Sequence, residues 1–178
     1  MMRVGIIGVG NRIMGDDGLG SYLAQALYGN AEGAEVIDLG SAGINAIDYL
    51  KEFDVIVILD AVAVDQEGVF VSEEKINEGD TDQVTSTVLD MEISGSHGLG
   101  IQSTLFILKL MGYSPKIYII GHKPYVLEPM SGISEKLREK VPQILDILQE
   151  VLKPYNVKIN KDRTLKAFQE VLSSDRPF

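Results

Sequence analysis

The sequence predicts an α/β fold: three layers, α/β/α, with a twisted, mostly parallel sheet and helices on both faces. Three observations carry that prediction. Short apolar runs alternate along the chain with segments of helical period. The runs Arg3 to Gly8, Asp54 to Leu59 and Lys116 to Ile120 are nearly continuous in apolar or β-branched residues, as strands buried on both faces are. The first run leads directly into a glycine-rich loop, Gly8-Val9-Gly10-Asn11-Arg12-Ile13-Met14-Gly15-Asp16-Asp17-Gly18-Leu19-Gly20. In open parallel sheets, ligands bind at that carboxyl end.

The elements follow in order. Leu19, Tyr22, Leu23, Ala26 and Leu27 recur at helical spacing, and Gly29 is placed to stop the helix. Glu35 to Asp38 is a second strand, Gly40-Ser41-Ala42-Gly43 a turn, and a helix carries Ile47 and Leu50. Asp54 to Leu59 is purely apolar after its first residue and is expected at the sheet centre. Gly68 to Ser72 and Val84 to Leu89 read as a peripheral pair around the acidic loop Glu73 to Asp82, itself a solvated charge run. Gly98 to Met111 is a helix with Ile101, Leu105 and Leu108 on one face, closed by Gly112 and Pro115. A long amphipathic helix runs from Leu137 to Leu152, and Pro142 should kink it or mark a restart. Residues 1–153 read as one α/β domain. Residues 154–178 read as a C-terminal extension: a short strand-like run, Asn156 to Ile159, then an amphipathic helix bearing Leu165, Phe168, Val171 and Leu172. A helix so short must dock to be ordered. It could cover the chain's own sheet or lie against a partner, and a partner is the favoured expectation.

Composition narrows the function. The chain has 178 residues, 45% hydrophobic and 24% charged, as a one-domain globular protein has. A net charge of -10 disfavours nucleic acid and anionic membrane as partners. The absence of cysteine excludes disulfides, thiolate catalysis and thiolate metal sites. The first apolar run is too short for a signal peptide or a membrane span, and the chain is expected in the cytoplasm.

The loop after strand one combines two signals that conflict. Its glycines suggest a phosphate cradle, but Asp16 and Asp17 would repel a phosphate at the same helix start. Glycine-permissive and acidic, the loop is better suited to a cation. Asp17 follows strand one, Asp60 closes strand three, His97 lies in the loop Ser94 to Gly100, and Asp38 ends strand two as a fourth acid on the same edge. Two carboxylates and an imidazole can hold a divalent transition metal with open positions, or act as acid and base in hydrolysis. Each residue also has a plainer reading: Asp16 and Asp17 as helix-start charges, Asp60 as a turn cap, and His97 as an exposed loop histidine. Their joint placement favours the functional reading. His122, in Gly121-His122-Lys123-Pro124, reads as loop surface.

Five motifs in order resemble those of NiFe-hydrogenase maturation endopeptidases. They are Gly8-Val9-Gly10-Asn11 with Gly15-Asp16-Asp17-Gly18-Leu19-Gly20; Asp38-x-Gly40-x-x-Gly43; Asp60-Ala61; Ser96-His97-x-Leu99-Gly100; and Leu127-Glu128-Pro129. The resemblance implies an endopeptidase that removes the C-terminal extension of a NiFe-hydrogenase large-subunit precursor after nickel insertion. The nickel is the recognition signal, so no tightly bound cofactor is expected in the resting enzyme. It implies Asp17, Asp60 and His97 as the metal-contacting and catalytic set, with Asp38 as a supporting acid and other maturation proteins as further partners. The tail past Pro154 is longer than that family's usual ending. Water activated by the metal and water activated by a carboxylate both fit the residues; so does an aspartyl-type dyad of Asp17 and Asp60.

Two other readings compete. In a dinucleotide-binding module, Gly8-x-Gly10 would face a pyrophosphate and Asp38 a ribose. Ile13 at the third glycine position and the acid pair oppose it. A non-catalytic assembly factor could hold nickel on the same acidic edge.

Overall fold

The computed structural model describes residues 2–40, 46–61, 68–74 and 98–174. In chain order the strands and helices are β1 (Val4–Val9), α1 (Leu19–Leu27), β2 (Ala31–Glu32), β3 (Glu35–Gly40), α2 (Ile47–Leu50), β4 (Val55–Ala61), β5 (Val69–Glu74), α3 (Gly98–Leu110), β6 (Lys116–His122), α4 (Glu135–Arg138), α5 (Val141–Leu152), β7 (Lys158–Ile159) and α6 (Lys161–Ser174). A five-stranded sheet has the order β3-β1-β4-β6-β5. β3, β1, β4 and β6 are parallel, and β5 runs antiparallel to β6.

Helices cover both faces. On one, Ile6, Val57, Leu59 and Ile120 pack with Leu23 and Leu27 of α1 and with Ile144 and Leu148 of α5. On the other, Ile7, Ile56 and Ile58 pack with Leu50 of α2 and with Ile101, Leu105 and Leu108 of α3. Every residue of β4 is buried, as expected of the central strand. Each fully buried Leu or Ile contributes about 1.5–3 kcal/mol, which makes these two clusters the main source of cohesion.

Glycine sets how close α1 lies to the sheet. A Cβ on Gly8 would meet the Gly20 carbonyl and the Ala24 side chain, and one on Gly20 would meet the Leu59 and Val9 carbonyls. The helix therefore rests on the backbones of β1 and β4. Its start lies over the strand ends.

Several sequence expectations change. Among the described residues Val69–Glu74 lies at the sheet edge and pairs with β6, with Val69 opposite His122. The run Val84 to Leu89 and the turn Ser41 to Gly43 lie outside the described residues. Pro142 opens α5 at its first turn after the one-turn helix α4, so it marks a restart. The strand β2 escaped sequence reading because two residues carry no period; it pairs antiparallel with β7.

The tail does not await a partner. Thr164 and Phe168 of α6 are buried, and Leu165, Val171 and Leu172 pack against the α1 and α5 side of the core. Gln149 of α5 gives its amide to the Val157 carbonyl at 2.9 Å and accepts the Ile159 N–H at 2.7 Å. The Tyr118 and Tyr155 hydroxyls share a hydrogen bond of 2.7 Å. The core has an apolar face beside α1, and α6 covers it.

Candidate active site

The loop between β1 and α1 folds tightly on itself, and its glycines serve that fold. Gly10 has φ +150, and a Cβ there would meet the Asp17 carbonyl. Gly15 has φ +57, and its Cβ would lie 2.5 Å from the Val126 carbonyl. The 3-10 turn Gly15–Gly18 then enters α1 directly. The glycines permit turns and close approach, so the conflict between a phosphate cradle and two acids disappears.

The adjacent acids Asp16 and Asp17 do different work, and neither caps its own helix. Asp16 is fully buried and binds the segment after β6. It accepts the backbone N–H groups of Tyr125 and Val126 at 2.8 and 2.9 Å, and the Ser134 N–H and hydroxyl at 2.6 and 2.8 Å. Ser134 in turn caps α4 by accepting the Leu137 N–H. This carboxylate is fully satisfied. It fastens residues 125–134 to the loop.

Asp17 is 3% exposed, and its Oδ2 accepts the Asn11 N–H at 2.9 Å. Asp60, 4% exposed, stands near the end of β4 on the face that α3 covers. The Ala61 backbone gives it a hydrogen bond, yet its Oδ1 has no partner among the described residues. Burial, then the charge of Asp17, pushes the Asp60 carboxyl up to about 8. Near neutral pH it therefore keeps a proton that a free carboxyl would have lost. A cation arriving beside Asp17 and Asp60 would favour release of that proton, and a base there could take one from water. Asp17 thus lies close enough to Asp60 for its charge to act on it.

The third member of the expected set, His97, lies outside the described residues. Its neighbour Gly98 begins α3, whose Ile101 shares a cluster with Ile58 on the Asp60 face. Among the described residues no three His, Asp or Glu groups form a metal set.

Asp38 is not part of the buried pair. Its Oδ1 accepts the Gly40 N–H at 3.0 Å, and its Oδ2 pairs with Arg12 at 3.1 Å. Arg12 also donates to the Ser21 hydroxyl at 2.8 Å and stacks on Tyr22 at 4.3 Å. The Gly10 N–H donates to the Gly40 carbonyl at 2.8 Å, so this cluster ties the end of β3 to the loop. An acid already held by a guanidinium is poorly placed to accept from a ribose.

His122 corrects the sequence reading. It ends β6 in register with Ala61 and is buried, not loop surface. Alternation puts it on the α1 and α5 face, opposite Asp60. Burial pushes it down to about 4, against the pull of a hydrogen bond to the Asp16 backbone and of the Asp16 charge. It is neutral, and its Nε2 has no partner among the described residues. The only sequence signal was its position directly after an apolar strand.

Among the described residues no helix is long and apolar enough to cross a membrane. The family model described as hydrogenase maturation protease matches residues 20–151, a span that holds Asp38, Asp60 and His97 and begins three residues after Asp17. The chain is 24% identical to the hydrogenase expression/formation protein HupD of Bradyrhizobium diazoefficiens, over 97% of this chain and 90% of that one. It is 24% identical to the hydrogenase 2 maturation protease of Escherichia coli, over 88% of this chain and 94% of that one. The fold is similar to that of the hydrogenase maturating endopeptidase HybD from E. coli, with a TM-score of 0.76, 24% identity, and 90% and 99% of the two chains covered.

Proposed function

The chain belongs to the hydrogenase maturation protease family and is a peptidase, and from that premise we propose that it removes the C-terminal extension of a NiFe-hydrogenase large-subunit precursor after nickel has entered that subunit. The nickel is part of the substrate. Asp17, Asp60 and His97 contact it, and so recognise a loaded precursor. The observation that carries this reading is the buried Asp17 and Asp60 pair, with one Asp60 oxygen that has no partner among the described residues at the end of the central strand.

Leaving a buried carboxyl oxygen unpaired costs about 1–3 kcal/mol. A protein retains that cost where a substrate group completes the site. In the resting enzyme the proton on Asp60 lowers the negative charge beside Asp17. A divalent cation displaces the proton, and both carboxylates then bear on the metal. Hydrolysis adds water to the peptide carbonyl and returns a proton to the leaving amine. Either the metal or a freed carboxylate delivers the water, and the residues serve both routes. With two carboxylates and one imidazole, and the other ligands coming from the substrate, the resting enzyme holds no metal tightly. The reaction belongs in the cytoplasm, where other maturation proteins deliver the precursor.

The test is incubation with nickel-loaded and nickel-free precursor, followed by the mass of the precursor's C-terminus. Loss of the extension only from the loaded form supports the reading. Equal cutting of both forms removes nickel from recognition, and no cutting of either removes the proposed substrate.

A further inference from the structure

Asp16 fastens more than a structural loop to the site. The Met130 N–H donates to the Ile13 carbonyl at 2.7 Å, so two apolar side chains, 58% and 44% exposed, stand on neighbouring backbone. Met130 has φ +63, a left-handed conformation that costs a residue other than glycine about 1 kcal/mol or more. Ile13 and Met130 line a groove of about 930 Å³ that also takes in Arg12, Arg138, and Phe168 and Leu172 of α6. Among the described residues no Asp or Glu lines it. On a chain of net charge -10, a groove whose charged groups among the described residues are two guanidiniums selects by sign. Arg12 is engaged with Asp38, Ser21 and Tyr22. Arg138 donates Nε to the Ile133 carbonyl at 3.0 Å and pairs with no carboxylate among the described residues.

We infer that this groove binds an extended peptide with apolar side chains and a carboxylate, and that its occupant is the C-terminal extension of the precursor. Naming that occupant rests on the proposed function. A peptidase must hold chain beside the bond it cuts, and this groove shares the β1–α1 loop with Asp17. Arg12 and Ile13 belong to the loop that carries Asp17, and the neighbouring Asn11 N–H binds the Asp17 carboxylate. The opposite segment, residues 125–134, is fixed to the same loop by Asp16. Apolar contacts with Ile13, Met130 and Leu172 supply area, and the Arg138 fork takes the carboxylate. The groove thus reads the extension, while the buried acids read the metal.

The probe is a fluorescent synthetic peptide with the sequence of the precursor's extension, titrated by anisotropy into the full chain without nickel. Wild type should bind it, more weakly as salt rises. Arg138→Glu should weaken binding about tenfold or more, and Arg138→Lys less. Ile13→Ser should weaken it as well, and because Ile13 is exposed this second variant folds whatever Arg138 does for α4. With nickel-loaded precursor, both Arg138→Glu and Ile13→Ser should raise KM and leave kcat within about twofold. Failure of the peptide to bind wild type, or equal binding by wild type and both variants, overturns the groove assignment. Self-association of the chain that depends on Arg138 without peptide would give the groove to a second copy and also overturns it. The two readings fail separately. Precursor cutting without peptide binding removes only the groove. Binding that depends on Arg138 without precursor cutting removes only the proposed reaction.

Discussion

Asp16 and Asp60 are both buried carboxyls at the same end of the sheet, and they differ in one respect that separates scaffold from site. Asp16 accepts four hydrogen bonds from residues 125–134 and has no oxygen to spare. Asp60 has an oxygen with no partner among the described residues, and a carboxyl held protonated by burial and by Asp17. Burial alone therefore does not mark a functional acid. An unmet valence does, because folding gives no reason to keep it. His122 shows the limit of the rule. It too is buried with an unpartnered nitrogen, but it faces the opposite side of the sheet and is held by the Asp16 backbone.

Exchanging the roles of these acids gives the largest effect. Asp17→Asn and Asp60→Asn should each lower processing of nickel-loaded precursor by about a hundredfold or more, the scale of a lost acid, base or charge at a reacting centre. Melting temperature should not fall in either variant. Full processing by either purified variant would place its carboxyl outside the chemistry and break the comparison.

Asp16→Ala should do the reverse. It strips three backbone donors of their acceptor, at about 1–3 kcal/mol each where burial persists. About 3 kcal/mol in total lowers the melting temperature of a domain this size by roughly 6–12 °C. A calorimetric scan showing no loss would mean that water replaces the carboxylate and that the clamp is idle.

Phe168→Ala sharpens the contrast between buried scaffold and exposed surface in the tail. Because Phe168 is buried beside α1, its truncation should cost about 3 kcal/mol in the isolated protein. A tail that served only a partner would leave the melting temperature of the monomer unchanged.

The smallest effect is a slope. Asp60 keeps a proton in the folded chain up to about 8 that the unfolded chain loses near 3.8, so stability from this group falls as pH rises across that window. His122 acts oppositely. The unfolded chain holds its proton up to about 6.5 and the folded chain only to about 4, so stability from it is lost as pH falls through that range. Of these two groups, only Asp60 contributes a slope above pH 6.5. Melting temperature should therefore decline from pH 6.5 to 8 in wild type, and Asp60→Asn should flatten the decline and raise the curve. A flat wild-type curve over that interval would show that Asp60 has already ionised.

The fold was largely legible because its strands are buried on both faces, and Val55 to Leu59 could hardly be anything else. Pro142 likewise declared a break, which the structure makes a restart. The two-residue strand β2 had no period to read, and the dock of α6 was illegible because the apolar face beside α1 belongs to tertiary packing. Within the site, the joint approach of Asp17 and Asp60 followed from strand ends alone. The division of labour between Asp16 and Asp17 did not, since neighbours in sequence share every local signal and differ only in what residues 125–134 bring to them. His122 was misplaced because its glycine and proline neighbours suggested a loop, whereas β6 runs on through it.

The central claim of the proposed function is that Asp60, whose Oδ1 has no partner among the described residues, is a buried acid kept for a substrate cation. Its most direct test is a carboxyl-carbon NMR titration of Asp60 in the metal-free protein. The midpoint should lie near 8 and move down in Asp17→Asn, where the neighbouring charge is gone. A midpoint near 3.8 that ignores Asp17 would contradict the claim, because such a carboxyl would already be ionised and satisfied within the fold.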